Sequence, residues 1–205
     1  MSDGRGTWTP PDPYSYSWLL GFYLGDGCIA TVKPGNYQLR VTLDAIYPEI
    51  VDDCVTAVTL TALESRVTVR RHRTTRVFVV ACSSQRWPEF IPQHGPGRKH
   101  KRPIRLESWQ RAILDRHPEP FLRGLIHSDG CRTINRFRTK LPSGRVAEYA
   151  YPRYFFSNLS ADIRLLFCEY CDKLDIRWTQ SNHRNISVSH RDSVARLDEF
   201  IGPKR

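Results

Sequence analysis

The sequence predicts an α+β fold of two pseudo-symmetric, duplicated αββαββα halves, and three observations carry that reading. Trp18–Cys28 reads WLLGFYLGDGC and is matched at Phe121–Cys131 by FLRGLIHSDGC. Downstream of each copy the apolar periodicity gives the same order of elements: helix, two strands, helix, two strands, helix. The spacing from the motif acid to a lysine just past a Gly-Pro is also kept, at 73 residues for Asp26 to Lys99 (99 − 26) and 75 for Asp129 to Lys204 (204 − 129).

Taken in order, Met1–Pro13 is polar, contains glycine and three prolines, and is expected to be a flexible tail or a strap. The first motif helix follows. Leu20, Gly21, Leu24 and Gly25 share one side of it, as Leu122, Gly124, Leu125 and Ser128 do in the second copy. Small residues four apart let two such helices touch almost backbone to backbone, inside the usual separation of roughly 8–10 Å. A parallel pair would bring Asp26-Gly27 and Asp129-Gly130 together, each glycine being expected to supply the left-handed residue that stops a helix. Cys28–Lys33 and Tyr37–Asp44 then form a hairpin around Pro34-Gly35-Asn36, with Leu39, Val41 and Leu43 alternating against Gln38, Arg40 and Thr42. Pro48 to about Leu63 reads as an amphipathic helix with Ile50, Val51, Cys54, Val55 and Val58 inward. In the next hairpin Val67 and Val69 alternate with Arg66, Thr68 and Arg70, the tip at 71–75 is basic, and 76–82 returns. Ser84–Ile91 is a short helix.

Residues 93–105, QHGPGRKHKRPIR, join the halves. Their glycines and prolines exclude a continuous helix, and their basic side chains suit a segment lying along phosphates. Leu106–Arg116 is a linker helix packed through Leu106, Trp109, Ile113 and Leu114. In the second half, helix 119–129 leads into a longer hairpin at 131–141 and 145–157. Helix Ala161–Leu174, strands near 176–181 and 184–189, and a closing helix Asp192–Ile201 complete it. The expected division is a tail at 1–13, halves at 14–94 and 118–205, and a basic linker with its helix at 95–117.

With 31 Lys+Arg against 21 Asp+Glu, the net charge is +10 and the pI about 9.6, a balance that suits a polyanionic partner. The six cysteines, at 28, 54, 82, 131, 168 and 171, are too scattered for a disulfide framework and read as reduced thiols. Cys168-x-x-Cys171 has a zinc-like spacing, yet it falls in a helical pattern with no second pair. No apolar run approaches the roughly 20 residues of a membrane span, and the N-terminus lacks a signal-peptide core. The expected setting is the cytoplasm, associated with the nucleoid, with no membrane partner.

Leu19–Gly27 (LLGFYLGDG) and Leu122–Gly130 (LRGLIHSDG) resemble the two signature copies of a single-chain LAGLIDADG homing endonuclease. Gly21 and Gly124 keep the first glycine of the name, Gly25 and Ser128 stand at its small alanine, and His127 stands where its first acid is written. The resemblance runs from about Tyr14 to the end, and it implies two curved antiparallel sheets forming a DNA-binding saddle. Helix C-termini carry about half a negative charge each, so two carboxylates gathered there call for a cation. Asp26 and Asp129 are therefore expected to share divalent metal, Mg2+ or Mn2+, with the backbone carbonyls of Gly25 and Ser128 as further ligands. The resemblance implies a basic residue near each cleavage centre, and Lys99 and Lys204 match in position. Both lysines could equally be surface phosphate contacts, with Lys101 the nearest rival.

Strand pairs can enter the major groove, where arginine reads guanine and asparagine reads adenine. The expected readers are Arg40, Arg66 and Arg70 in the first half. In the second they are Arg136, Arg138 and Lys140 on one strand face, Arg177 and Thr179 on another, and Asn185 and Ser187 on a third. The expected activity is hydrolysis of one phosphodiester in each strand of a long, asymmetric double-stranded DNA site, by a monomer with no obligate protein partner. The alternative is a non-cleaving nucleic-acid-binding protein of this fold, an RNA-splicing maturase or a transcriptional regulator. Retention of both aspartates favours cleavage.

Overall fold

The computed structural model describes residues 8–202. Helix α1, Pro13–Asp26, starts where the Asp12 carboxylate accepts from the N–H groups of Tyr14 (3.0 Å) and Ser15 (3.2 Å), with Pro13 presetting the first turn. Every residue from Tyr16 to Leu24 is buried. The helix is therefore enclosed on all sides at the centre of the molecule, not seated on one apolar face. It runs into β1 (Gly27–Lys33), which pairs antiparallel with β2 (Asn36–Asp44). Helix α2 (Pro48–Thr61), β3 (Val67–Arg71), β4 (Val77–Ser84) and the one-turn α3 (Trp87–Phe90) complete the first half.

After a 3-10 turn at Lys99–Lys101 and the linker helix α4 (Ser108–Leu114), the plan repeats. Helix α5 (Pro118–Asp129) leads to β5 (Gly130–Lys140), β6 (Val146–Ser157), α6 (Ala161–Lys173), β7 (Thr179–Gln180), β8 (Asn185–Val188) and α7 (Arg191–Ile201). The sheets have equivalent strand orders, β1-β2-β4-β3 and β5-β6-β8-β7. Leu39, Val41, Val80 and Cys82 of the first sheet, and Tyr154, Phe156, Ile186 and Val188 of the second, are buried against the helices. Among the described residues this is an α+β fold of seven α-helices and two four-stranded antiparallel sheets.

The linker is held by a buried polar chain. Tyr16 donates its hydroxyl to the Phe90 carbonyl (2.8 Å), and Gln110 donates to the Tyr16 oxygen (2.7 Å) and to Gln93 Oε1 (3.0 Å). Gln93 in turn donates to the Arg105 carbonyl (2.7 Å). Amides buried this deeply are tolerated because each finds partners, and together they fix the linker to α1.

Several local expectations are corrected. Of the expected tail or strap, residues 1–7 lie outside the described residues, and from Trp8 the segment follows the strap alternative. The Trp8 ring lies 4.4 Å from that of Phe90, 5.5 Å from Tyr16 and 5.6 Å from Trp109, and Pro10 is buried. Gly27 and Gly130 are extended (φ −77° and −114°), not left-handed, because each helix passes directly into a strand. Glycine is needed there for space: a Cβ on Gly27 would meet the Tyr23 ring at 2.5 Å, and one on Gly130 the Ile126 Cα at 2.8 Å. Helix α3 starts late because Ser83 and Ser84 stay paired with β2. Strand β7 is short because the Arg177 N–H is taken by Ser193 Oγ (2.9 Å) and a tight turn at Asn182 begins just after Gln180.

Candidate active site

The site is built on the contact between α1 and α5. A Cβ on Gly21 would lie 2.3 Å from the Phe121 carbonyl oxygen, and one on Gly124 would lie 2.2 Å from that of Trp18, so the two helix backbones touch at equivalent points. One turn further on, a Cβ on Gly25 would lie 2.2 Å from Ser128 Oγ and 3.1 Å from Asp129 Cγ. The small residues thus bring the two Asp-Gly ends together as their spacing predicts.

Around Asp129 the structure forms an open cavity of about 450 Å³, bordered by Gly25, Cys28, Arg98, Lys99, His100 and Asn158. Lys99 reaches in from the linker and donates to the carbonyls of Gly25 (2.8 Å) and Tyr23 (2.5 Å). Burial pushes its ammonium down to about 8, against the pull of Asp129 and Asp26, which favours the charge. Asn158, beyond the end of β6, donates to Asp129 Oδ2 (2.6 Å) and orients that carboxylate. Asp26 borders a smaller recess of about 120 Å³ with Thr42, Asp44, His127 and Ser128. The His127 ring nitrogen Nε2 lies 3.0 Å from the Ile201 carbonyl oxygen, so the side chain at the first acid position of the motif name is packed against the end of α7. Lys204 lies outside the described residues. Lys101 is exposed at the end of the 3-10 turn, and Lys99, not Lys101, enters the site.

The donor set fits a hard divalent cation: two carboxylates and the main-chain carbonyls of Gly25 and Ser128, with no thiolate among them. Among the described residues no group of three or more His, Cys, Asp or Glu could hold a metal, so carbonyls would have to complete the shell. The Lys99 ammonium already donates to the Gly25 carbonyl, so a cation bound there would share that oxygen with it or displace it. Ser128 turns its hydroxyl back to the Gly124 and Leu125 carbonyls, leaving its own main chain as the candidate donor. Cys168 and Cys171 are buried in α6, where burial pushes the Cys168 thiol up to about 11 and Cys171 well above its ordinary value. They are protonated core residues.

Register fixes which strand residues face away from the helices. On the first sheet these are Gln38, Arg40 and Thr42 of β2 with Thr68 and Arg70 of β3, bordering a groove of about 610 Å³. Gln38 Oε1 accepts from Arg40 Nε (2.6 Å), and Arg66 is exposed just before β3. On the second sheet the expectation for β5 is corrected. Arg132, opposite buried Tyr154, pairs with Asp198 on α7 and so lies on the helix side. The ladder continues unbroken to Lys140, so Arg136, Arg138 and Lys140 share that side, and Arg138 pairs with Glu148 at 2.6 Å. The outward face instead carries Thr133, Asn135, Phe137, Tyr149, Tyr151 and Arg153, which sequence reasoning missed. Both sets alternate equally well, and the cationic one was the more conspicuous.

Two further expected readers change. Arg177 is not on a strand, and its guanidinium lies 3.0 Å from the His190 ring nitrogen Nε2. Ser187 is on the outward face but buried between its register partners Phe155 and Thr179. Thr179 is exposed and Asn185 half-buried. Asn158 also went unnoticed, since a lone asparagine after a strand has no motif to mark it.

Two touching helices, each ending on an aspartate and each feeding its own four-stranded sheet, define the duplicated LAGLIDADG fold. Solved structures agree with that assignment at low sequence identity. The chain is similar to mesophilic variants of the homing endonuclease I-DmoI, with a TM-score of 0.58 and 14% identity over 93% of this chain and 97% of that one. It is also similar to the LAGLIDADG meganuclease I-AabMI bound to uncleaved DNA, with a TM-score of 0.55 and 11% identity over 92% and 82%. The same scaffold recurs in full-length DUF199/WhiA from Thermatoga maritima, at 0.55 and 16% over 98% of this chain and 59% of that one. No protein-family profile matches the sequence, and no curated protein matches it significantly.

Proposed function

We propose that the chain is a site-specific endonuclease that hydrolyses one phosphodiester in each strand of a long, asymmetric double-stranded DNA target. The observation that carries this reading is the meeting of the Asp26 and Asp129 ends of α1 and α5, with the Lys99 ammonium seated between them and the linker. The neighbour I-DmoI has been solved in complex with DNA and Mn, which supports both partner and cofactor. When bound there, Mg2+ or Mn2+ would supply charge neutralisation at the scissile phosphate and a lowered pKa for the attacking water.

Asp26 and Asp129, with the carbonyls of Gly25 and Ser128, would hold the cation. Asn158 keeps the Asp129 carboxylate in place. Lys99 offers its ammonium to the phosphate in the Asp129 cavity, and Lys204, which matches it in sequence position, is proposed for the same role in the second half. The halves at 14–94 and 118–205 each lay a sheet along one half of the target, and the +10 charge draws the duplex in.

A second reading, a non-cleaving nucleic-acid-binding protein, is favoured by the likeness to WhiA, which extends the fold beyond proteins named as endonucleases. One experiment separates them: incubate the protein with a randomised duplex library and Mg2+ or Mn2+, and sequence the ends. Recurrent paired breaks within one sequence support the endonuclease. Enrichment of bound duplex with no breaks in either metal would establish the second reading.

A further inference from the structure

The outward face of the β5–β6 hairpin carries aromatic rings where the equivalent face of the first half carries cations and amides. In register, Phe137 lies opposite Tyr149, and Asn135 lies opposite Tyr151. The ring centroids are 5.3 Å apart for Phe137–Tyr149, 6.0 Å for Tyr149–Tyr151 and 6.1 Å for Phe137–Tyr151. Phe137 is 43% and Tyr151 50% exposed, so the rings gain little by folding where they are. An exposed apolar cluster of this kind marks a surface that meets a partner.

We infer that Phe137, Tyr149 and Tyr151 read thymine methyl groups in the major groove of one half of the target, while Arg40 and Arg70 read hydrogen-bonding edges in the other. This rests on the endonuclease reading, through its requirement that the outward strand faces enter duplex DNA. A two-stranded ribbon fits the major groove, about 12 Å wide, where the thymine C5-methyl is the apolar group that a base pair displays. Arg136, Arg138 and Lys140 on the reverse face, with Arg145 at the tip, place cations beside the aromatic strip, where the groove's phosphate walls would lie. Single-stranded bases suit the cluster less well. The rings already cover one another at 5.3–6.1 Å, whereas sandwiching a base takes about 7 Å, twice the ~3.4 Å stacking distance.

The test uses the full chain, without divalent metal, and a duplex selected from a randomised library, with affinity read by fluorescence anisotropy. Thymines are replaced by uracil, which lacks the methyl alone, in one half-site at a time. Replacement in the half facing β5–β6 should weaken binding by about fourfold per contacted methyl, from ~0.8 kcal/mol for each, and by about twofold or less in the other half. Tyr149→Ala should weaken the thymine duplex and reduce its advantage over the uracil one. The uracil series needs no altered protein, so misfolding of that variant leaves the result intact. Equal affinity for thymine and uracil duplexes in both halves would overturn the inference alone, as would tighter binding of a single strand. Binding of no duplex at all would overturn it together with the endonuclease reading.

Discussion

Gly124→Ala should lower stability by roughly 2 kcal/mol, and the figure follows from the α1–α5 contact. The added Cβ would sit 2.2 Å from the Trp18 carbonyl oxygen and 2.7 Å from the Phe22 nitrogen, where ordinary contact begins near 3.4 Å. Both obstacles are backbone atoms of a helix buried on every side, so α1 must back away by more than 1 Å. Overpacking a core costs about 1–3 kcal/mol, and an obstacle that cannot rotate aside belongs at the top of that range. Alanine's better helix propensity offsets about 1 kcal/mol of it. In a chain of this size each kcal/mol moves the melting temperature by roughly 2–4 °C, so a fall of about 4–8 °C is expected by circular dichroism. Gly21→Ala should behave alike, with its Cβ 2.3 Å from the Phe121 carbonyl oxygen. Gly95→Ala is the control, since its Cβ meets nothing nearer than the movable Arg102 guanidinium at 3.3 Å. A Gly124→Ala protein that melts with the unaltered chain would refute the backbone-contact argument.

Asp26→Asn and Asp129→Asn should each reduce double-strand cutting on the order of 10³-fold while DNA binding persists; normal cutting by either variant would sink the assignment of the acids. Affinity should fall linearly on a log scale with salt, with a slope near −0.9 per phosphate contacted, and a flat response would remove the electrostatic argument. Arg40→Ala should relax preference at one base pair by about 1–3 kcal/mol in a specificity profile. Arg138→Ala, on the reverse face and paired with Glu148, should instead shift all sequences alike. The Arg132 guanidinium and Tyr154 hydroxyl hold the Asp198 carboxyl below its ordinary 3.8. The unfolded chain therefore binds a proton first as the pH drops, so this contribution is present above about pH 4 and is lost as the pH falls through the lowered pKa. Being partly exposed, the pair is worth at most about 1 kcal/mol, and in acid urea titrations Asp198→Asn should flatten that portion of the stability curve. Light scattering should find one chain per target, and two chains on one minimal site would contradict a single-chain site.

The element order and the meeting of the motif helices were legible because both rest on local pattern. Gly21, Gly25, Gly124 and Ser128 recur at helical spacing, and a repeated pattern constrains more than either copy alone. The faces of β5 were not legible. Its run of residues from Cys131 to Lys140 alternates two polar sets, and only the pairing of Arg132 with Asp198, across 66 residues, decides which set lies outside. The same holds for Ser187, whose burial depends on neighbours from two other strands. Lys99 could be placed by matched spacing, but its seat on the Gly25 carbonyl depends on the linker's course. Asn158 and the Trp8 strap act wholly through tertiary contact, so no periodicity announces them.

Tyr16, Gln93 and Gln110 bond the connecting segment to α1, while the Ile104 N–H donates to Asp162 (2.7 Å) and Arg111 pairs with Glu169 (2.7 Å) on α6, so the segment is a strut tied to both halves. A chimaera exchanging halves at residue 94 would sever the chain of amides and leave the arm that carries Lys99 held only from α6. A graft made in the turn between α4 and α5, at residues 115–117, would carry the arm and its anchor across together. In this chain a seam there keeps the three buried hydrogen-bonding side chains together, at the expense of the Arg111–Glu169 and Asp115–Lys173 pairs that cross to α6.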